Sequence, residues 1–277
     1  MTLSRTVVHL LQDRSRLKEH ISATLAEHDR RNASRIQLDP DFNTTSAVLF
    51  LLGDVNCDST RGEGPCLILN KRSALVKQPG DLCCPGGGID SRIDPFVARL
   101  LLSPLSPLRR WPAWGHWQRR DKKGARQLAL LLAASLREGL EEMRLNPFGV
   151  AFLGALPLQR LVMFKREIYP LVGWVGRQRR FFPNWEVADI IYIPLRTFLE
   201  PKRYARYQLD IETPAGNVPY QKEFACFLHQ HNGKTEVLWG ATFRITMIFL
   251  ELVFRFKPPD PLLLPEVQGI LKQSYFR

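Results

Sequence analysis

The chain has 277 residues, 45% hydrophobic and 24% charged, long enough for a sizeable core and unlike a disordered chain in composition. Its formal charge of +12 implies affinity for anions (nucleotides, nucleic acid or an acidic membrane surface) without separating them. Five cysteines (Cys57, Cys66, Cys83, Cys84, Cys226) with no Cys-x-x-Cys pair argue against a disulfide framework or zinc site and for a reducing compartment.

The first thirty or so residues carry charges throughout and lack the apolar centre of a signal peptide. No uncharged run reaches the ~18 residues of a membrane span. The expectation is a soluble cytoplasmic protein. Val7, Leu10, Leu11, Leu17, Ile21 and Leu25 recur at helical spacing and predict an amphipathic N-terminal helix. A polar connector from Arg30 to Thr45 closes an N-terminal extension, 1–45. Residues 46–52 and 66–69 read as buried strands joined as a hairpin across a polar turn region. Asn70-Lys71-Arg72-Ser73 leaves the second strand with two cations, and Pro85-Gly86-Gly87-Gly88 follows a turn. That glycine run alone reads as a tight bend, because it lacks the spacing of a phosphate loop or a dinucleotide turn.

Residues from about 91 to 124 differ in kind. Trp111, Trp114 and Trp117 stand among arginines and prolines, and basic residues far outnumber Asp94 and Asp121. The segment reads as an insertion, for which a helical elaboration packed on the domain or on a dimer partner is favoured. A substrate-contacting lid and a peripheral membrane contact through Trp and Arg stand behind it. A long helix follows, with Leu128, Leu131, Leu132, Leu136, Leu140 and Met143 on an apolar stripe. Glu138, Glu141 and Glu142 share another face at i+3 and i+4. Such crowded carboxylates are either a solvated acidic patch or the oxygen donors of a hard divalent cation, Mg²⁺ or Mn²⁺. Short apolar runs at 150–156, 168–175, 190–193 and 223–228 and an apolar helix at 238–254 complete a mixed α/β domain. The domain spans 46–257, and 258–277 reads as a tail.

The combination of strand, Pro-Gly-Gly and a later Arg137-Glu138-x-x-Glu141-Glu142 resembles the Nudix hydrolase family, whose signature is Gly-x5-Glu-x7-Arg-Glu-U-x-Glu-Glu-x-Gly-U, with U aliphatic. Gly87 matches the opening Gly; Arg137, Glu138, Glu141, Glu142 and Leu145 match the second half. The signature's first Glu has no counterpart on this alignment: Ile93 stands at its spacing from Gly87 and Ala129 at its spacing from Arg137. Arg144 replaces the last Gly. Upstream, 67–73 with Leu75, Gly80, Leu82 and Pro85-Gly86-Gly87 is similar to the motif of the coenzyme A pyrophosphatase branch, although Val76, Gln78 and Cys84 depart from it. Tyr169 to Gly173, Asn184 to Ile190, Pro194-Leu195 and Leu238 to Thr242 match further landmarks of that branch.

The resemblance implies a Nudix-type mixed sheet sandwiched between helices and an enzyme that hydrolyses a phosphoanhydride in a nucleoside diphosphate-linked substrate. Coenzyme A or an acyl-coenzyme A comes first, giving 3′,5′-ADP and 4′-phosphopantetheine. ADP-ribose, NADH or a diadenosine polyphosphate is the alternative substrate, and a non-catalytic nucleotide- or RNA-binding relative the alternative class. On this reading Glu138, Glu141 and Glu142 hold Mg²⁺ or Mn²⁺, and Glu138 or Glu142 serves as base. Arg137 orients the helix, and Gly86, Gly87 and Gly88 let the backbone approach the phosphates. Lys71 and Arg72 are candidate phosphate contacts. A small anionic nucleotide is the expected partner, nucleic acid is not, and a homodimer is compatible with the sequence.

Overall fold

The computed structural model describes residues 5–32, 42–54, 64–103, 106–161, 166–211 and 220–271. Most of the expected 30–45 connector and of the turn region after the first strand, with Cys57, lies outside them. Two helices open the chain, α1 (Arg5–Gln12) and α2 (Arg14–Asn32). The first strand, β1 (Thr45–Gly53), pairs antiparallel with β2 (Cys66–Arg72), as the hairpin reading expects. β3 (Leu82–Cys83) extends from β2, and the glycine run forms β4 (Gly86–Gly88), antiparallel to β1.

The insertion folds into α3 (Asp94–Leu101), a 3₁₀ turn (Pro107–Arg110) and α4 (Trp114–Arg120), and leads into α5 (Lys122–Met143). Then come β5 (Val150–Ala155), β6 (Gln159–Leu161), β7 (Arg166–Val175) and β8 (Val187–Pro194). β7 lies parallel to β1, which gives the sheet the order β3-β2-β1-β7-β5, with β8 beside β2. A smaller sheet has the order β11-β10-β9-β12, from β9 (Tyr204–Ile211), β10 (Tyr220–His231), β11 (Lys234–Leu238) and β12 (Glu266–Leu271). The apolar helix α6 (Gly240–Phe254) separates the last two.

Strand alternation sorts the core into two layers. Ala47, Leu49, Leu51 and Ile68 face α5 and the insertion, whereas Phe50, Leu52, Leu67 and Leu69 face α2 and α6, as the period of two requires. The result is a mixed sheet sandwiched between helices. Two expectations change. Residues 266–271 are not loose tail but the strand β12, parallel to β9; β9 itself forms in a stretch whose polarity hid it. The N-terminal α2 is part of the core, for Leu17, Ile21 and Leu25 are completely or almost completely buried in the α6 layer.

Two of the insertion's three tryptophans are core residues, and the third, Trp117, packs partly buried against them. Trp111 and Trp114 are buried, and the Trp111 ring meets Phe152 edge-on at 5.0 Å. Trp117 donates its indole N–H to Asp29 of α2. Their packing is that of a helical elaboration resting on the domain. No helix among the described residues is long and apolar enough to cross a membrane. Among the described residues no disulfide joins Cys66, Cys83, Cys84 and Cys226.

Candidate active site

The site lies where β4 crosses the last two turns of α5. Gly86 has φ +146°, and a Cβ there would sit 2.4 Å from the Ala47 carbonyl oxygen. At Gly87 a Cβ would sit 2.5 Å from Glu138 Oε1. Glycine at 86 is what lets this strand lie against β1, and glycine at 87 leaves the Glu138 carboxylate its place. The Gly86 N–H then donates to Glu142 Oε2 at 3.2 Å, and Asn70 Nδ2 donates to the same oxygen at 2.9 Å.

Arg137 ties the helix to the glycine strand and to the insertion. Its Nε donates to Asp94 Oδ1 at 2.9 Å and its Nη2 to Asp94 Oδ2 at 3.3 Å, the two-pronged geometry that suits guanidinium and carboxylate. Nη2 also reaches the Gly88 carbonyl at 3.0 Å, while Nη1 donates to Glu138 Oε1 at 3.1 Å and Glu141 Oε2 at 3.0 Å. Asp94 is wholly buried and takes a further bond from the Asp90 N–H at 2.7 Å.

Asp94 corrects the sequence alignment. It stands six residues after Gly88, the spacing the signature gives its first acid. Counting from Gly87 put Ile93 there instead, and Ile93 is exposed. Counted from Gly88 instead of Gly87, the signature's acid falls on Asp94, an Asp where the signature has Glu.

The three helix acids divide. Glu142 is buried and Glu138 nearly so, but Glu141 is half exposed and turned to Arg137. Burial, then the charge of Glu138, pushes the Glu142 carboxyl up to about 8, with Glu186 adding and the Gly86 N–H and Arg72 opposing. Burial raises Glu138 too; Arg137 pulls it back in part, and Glu141 and Glu186 add to the rise. Among the described residues no three His, Cys, Asp or Glu side chains stand gathered around one point as metal ligands. The donor chemistry nevertheless fits a hard divalent cation, since enclosed carboxylates that disfavour one another's charge are relieved by one.

Strand parity separates the two cations of β2. Asn70 and Arg72 follow Ile68 on the α5 face, and Arg72 opposes the rise at Glu142. Lys71 points to the other layer, where Nζ meets Glu236 Oε1 of β11 at 2.6 Å. Asn70 and Glu186 were not singled out from the sequence. Parity from Ile68 could have found Asn70. Glu186 comes from the loop before β8, held by Asn184 N–H to the Glu142 carbonyl at 2.8 Å and Ser73 N–H to its own carbonyl at 2.8 Å; the landmark from Asn184 to Ile190 contains it without singling it out.

The helix ends as the signature's last Gly would end it. Arg144 adopts φ +55° and its N–H reaches the Leu140 carbonyl at 3.0 Å, while Leu145 N–H reaches Gly139 O at 3.1 Å. This is a left-handed C-terminal turn made with a non-glycine residue.

No family model matches the chain. An uncharacterised Nudix hydrolase, NudL, of Pectobacterium atrosepticum is 29% identical over 181 residues, 64% of this chain and 70% of that protein. Its counterpart from Enterobacter sp. is 28% identical over 155 residues, 55% of this chain and 60% of that one, so the match spans less than two thirds of the second relative. Among solved structures, a Nudix hydrolase from Nitrosomonas europaea overlaps 82% of this chain and 80% of its own at 11% identity, with a TM-score of 0.34, too loose a fit to carry any reading of function. The two sequence relatives, beside the signature residues assembled on α5, support the Nudix hydrolase family for this chain.

Proposed function

We propose that the chain hydrolyses a phosphoanhydride in a nucleoside diphosphate-linked substrate, with coenzyme A or an acyl-coenzyme A as the first candidate. The observation that carries the reaction is the enclosed Glu138–Glu142 pair, pressed against Gly86 and Gly87 and braced by Arg137. A solvated acidic patch would not be buried or held by an arginine that bonds four separate groups.

Glu138, Glu141 and Glu142 would hold Mg²⁺ or Mn²⁺, which when bound offsets phosphate charge and lowers the pKa of water. Glu138 or Glu142 takes the proton of the attacking water. Water oxygen adds to one phosphorus, the P–O–P bond breaks, and each product keeps one of the two phosphorus atoms that the broken bridge had joined. Arg137 acts by position: its bonds to Asp94 and Gly88 fix the helix against the glycine strand. Arg72 is the phosphate contact on the site face, its Nε steadied by the Lys77 carbonyl at 2.6 Å; Lys71 is engaged with Glu236 in the other layer.

The coenzyme A assignment rests on the motif of residues 67–87 and the landmarks downstream. The departures at Val76 and Gln78 favour a second reading, another dinucleotide such as ADP-ribose, NADH or a diadenosine polyphosphate. Chromatographic product analysis with Mg²⁺ and with Mn²⁺ over coenzyme A, acyl-coenzyme A and these dinucleotides tests both. Release of 3′,5′-ADP and 4′-phosphopantetheine at the highest kcat/KM supports the first; a higher value for any dinucleotide supports the second. Glu142→Gln should lower kcat by about 10²-fold or more, the scale of a lost proton acceptor. Wild-type rates in that variant would leave only a binding role.

A further inference from the structure

Outside the site, the outer face of α3 gathers three of the large apolar side chains that stand exposed among the described residues. The helical bonding begins before Asp94, with Asp94 N–H to Asp90 O at 3.1 Å and Val97 N–H to Ile93 O at 3.2 Å, so residues 92 to 101 share one helical wheel. At roughly 100° per residue, Arg99, Arg92, Phe96, Leu100 and Ile93 fall in that order within an arc of about 120°. Asp94, Ala98 and Leu101 are buried on the opposite side. Three large apolar side chains are thus left in solvent: Phe96 63% exposed, Leu100 56% and Ile93 47%. The two arginines that border them are exposed as well.

We propose that this face docks on an anionic lipid bilayer, with Phe96, Leu100 and Ile93 entering the headgroup–acyl boundary and Arg92 and Arg99 meeting lipid phosphates. Charge decides the occupant. The segment that follows α3 adds Arg109, Arg110, Arg119 and Arg120, all exposed, and the chain as a whole carries +12. Apolar side chains bordered by arginines match an acidic membrane surface, where both kinds of group gain. A nucleic acid would engage the arginines and leave the phenylalanine and leucine in water. A second copy of the same face would set like charges against each other. The tryptophans take no part: two are core and the third packs against them. The proposal does not depend on the hydrolase reading, although the same α3 carries the Asp94 carboxylate that grips Arg137.

Co-sedimentation with vesicles of phosphatidylcholine containing phosphatidylglycerol, against vesicles of phosphatidylcholine alone, tests it on the full chain. Binding to the anionic vesicles that weakens with salt is expected. The double variant Phe96→Ser, Leu100→Ser should lower the partition coefficient about tenfold or more, and Arg92→Gln, Arg99→Gln should remove much of the salt dependence. These positions face solvent, so an unchanged Tm is expected and is measured alongside. Absence of binding to anionic vesicles, or equal binding by the Ser variant, overturns the proposal. So does a dimer in sedimentation velocity that the Ser variant dissociates, or an RNA gel shift that the Ser variant abolishes while vesicle binding persists.

Discussion

Asp94 and Arg137, 43 residues apart in sequence, meet through two hydrogen bonds at 2.9 and 3.3 Å. That pair is where the inserted segment, the glycine strand and the acidic helix are joined. Asp94→Asn should take from Arg137 one of its three carboxylate partners, the wholly buried one. A loss of about 1–3 kcal/mol in urea-unfolding free energy is expected. If the variant folds, kcat should fall more than KM changes, because the pair positions the helix and touches no substrate. A rise in KM alone would assign Asp94 to substrate binding.

The Glu142 carboxyl makes stability fall as pH rises. Its folded value of about 8 exceeds its ordinary 4.5. Below the ordinary value both states hold the proton and nothing changes. Between the two, the folded state keeps a proton that the unfolded chain has lost, so the fold loses up to about 1.4 kcal/mol per pH unit. Above about 8 the loss stays constant. Urea titrations of the metal-free protein at about pH 5 and about pH 8 should show the decline, and Glu142→Gln should flatten it. Mg²⁺ or Mn²⁺ should restore more stability at the higher pH.

Arg144→Gly should stabilise the protein by roughly 1 kcal/mol, since Arg144 holds φ +55° and only glycine adopts that region without steric cost. The Arg144 side chain is exposed, so little contact is lost. A shift of the urea midpoint to lower concentration would contradict this account of the helix end.

Trp111 and Trp114 are buried, and neither indole N–H has a partner among the described residues. Truncation to Ala should cost about 3–5 kcal/mol each. Phe should cost much less, for it keeps most of the ring contact and removes a polar group without a bond. Equal costs for Ala and Phe in thermal unfolding would mean that the N–H, not the ring, matters.

Lys71 and Arg72 are adjacent but face different layers. Arg72→Ala should raise KM for a phosphate-rich substrate severalfold. Lys71→Ala should act mainly on stability, by breaking its pairing with Glu236. Steady-state kinetics on both variants decides, and the reverse pattern would return Lys71 to the site.

Local periodicity made much of this legible. Leu49 against Phe50, and Leu136 against Glu138, are sorted by periods of two and of 3.6, which depend only on neighbours in sequence. The signature residues on α5 were visible for the same reason. Asp94 was missed because a run of three glycines offers three starting points, and only the contact with Arg137 selects Gly88. β12 was missed because its partner, β9, lies some sixty residues away, and such pairing leaves no local pattern. The burial of Trp111 and Trp114 depends on α5 and β5 closing over them. Composition alone cannot tell a tryptophan that faces a membrane from one that fills a core.

The two ends of the excursion from α3 to α5 meet at one ion pair, so length added between them never has to move the carboxylates. Its entropic cost grows only with the logarithm of loop length, about 0.6 kcal/mol per doubling. The number of residues between acid and arginine is thus a free variable, and what must be kept is their meeting in space. A search that fixes that number will pass over chains built like this one.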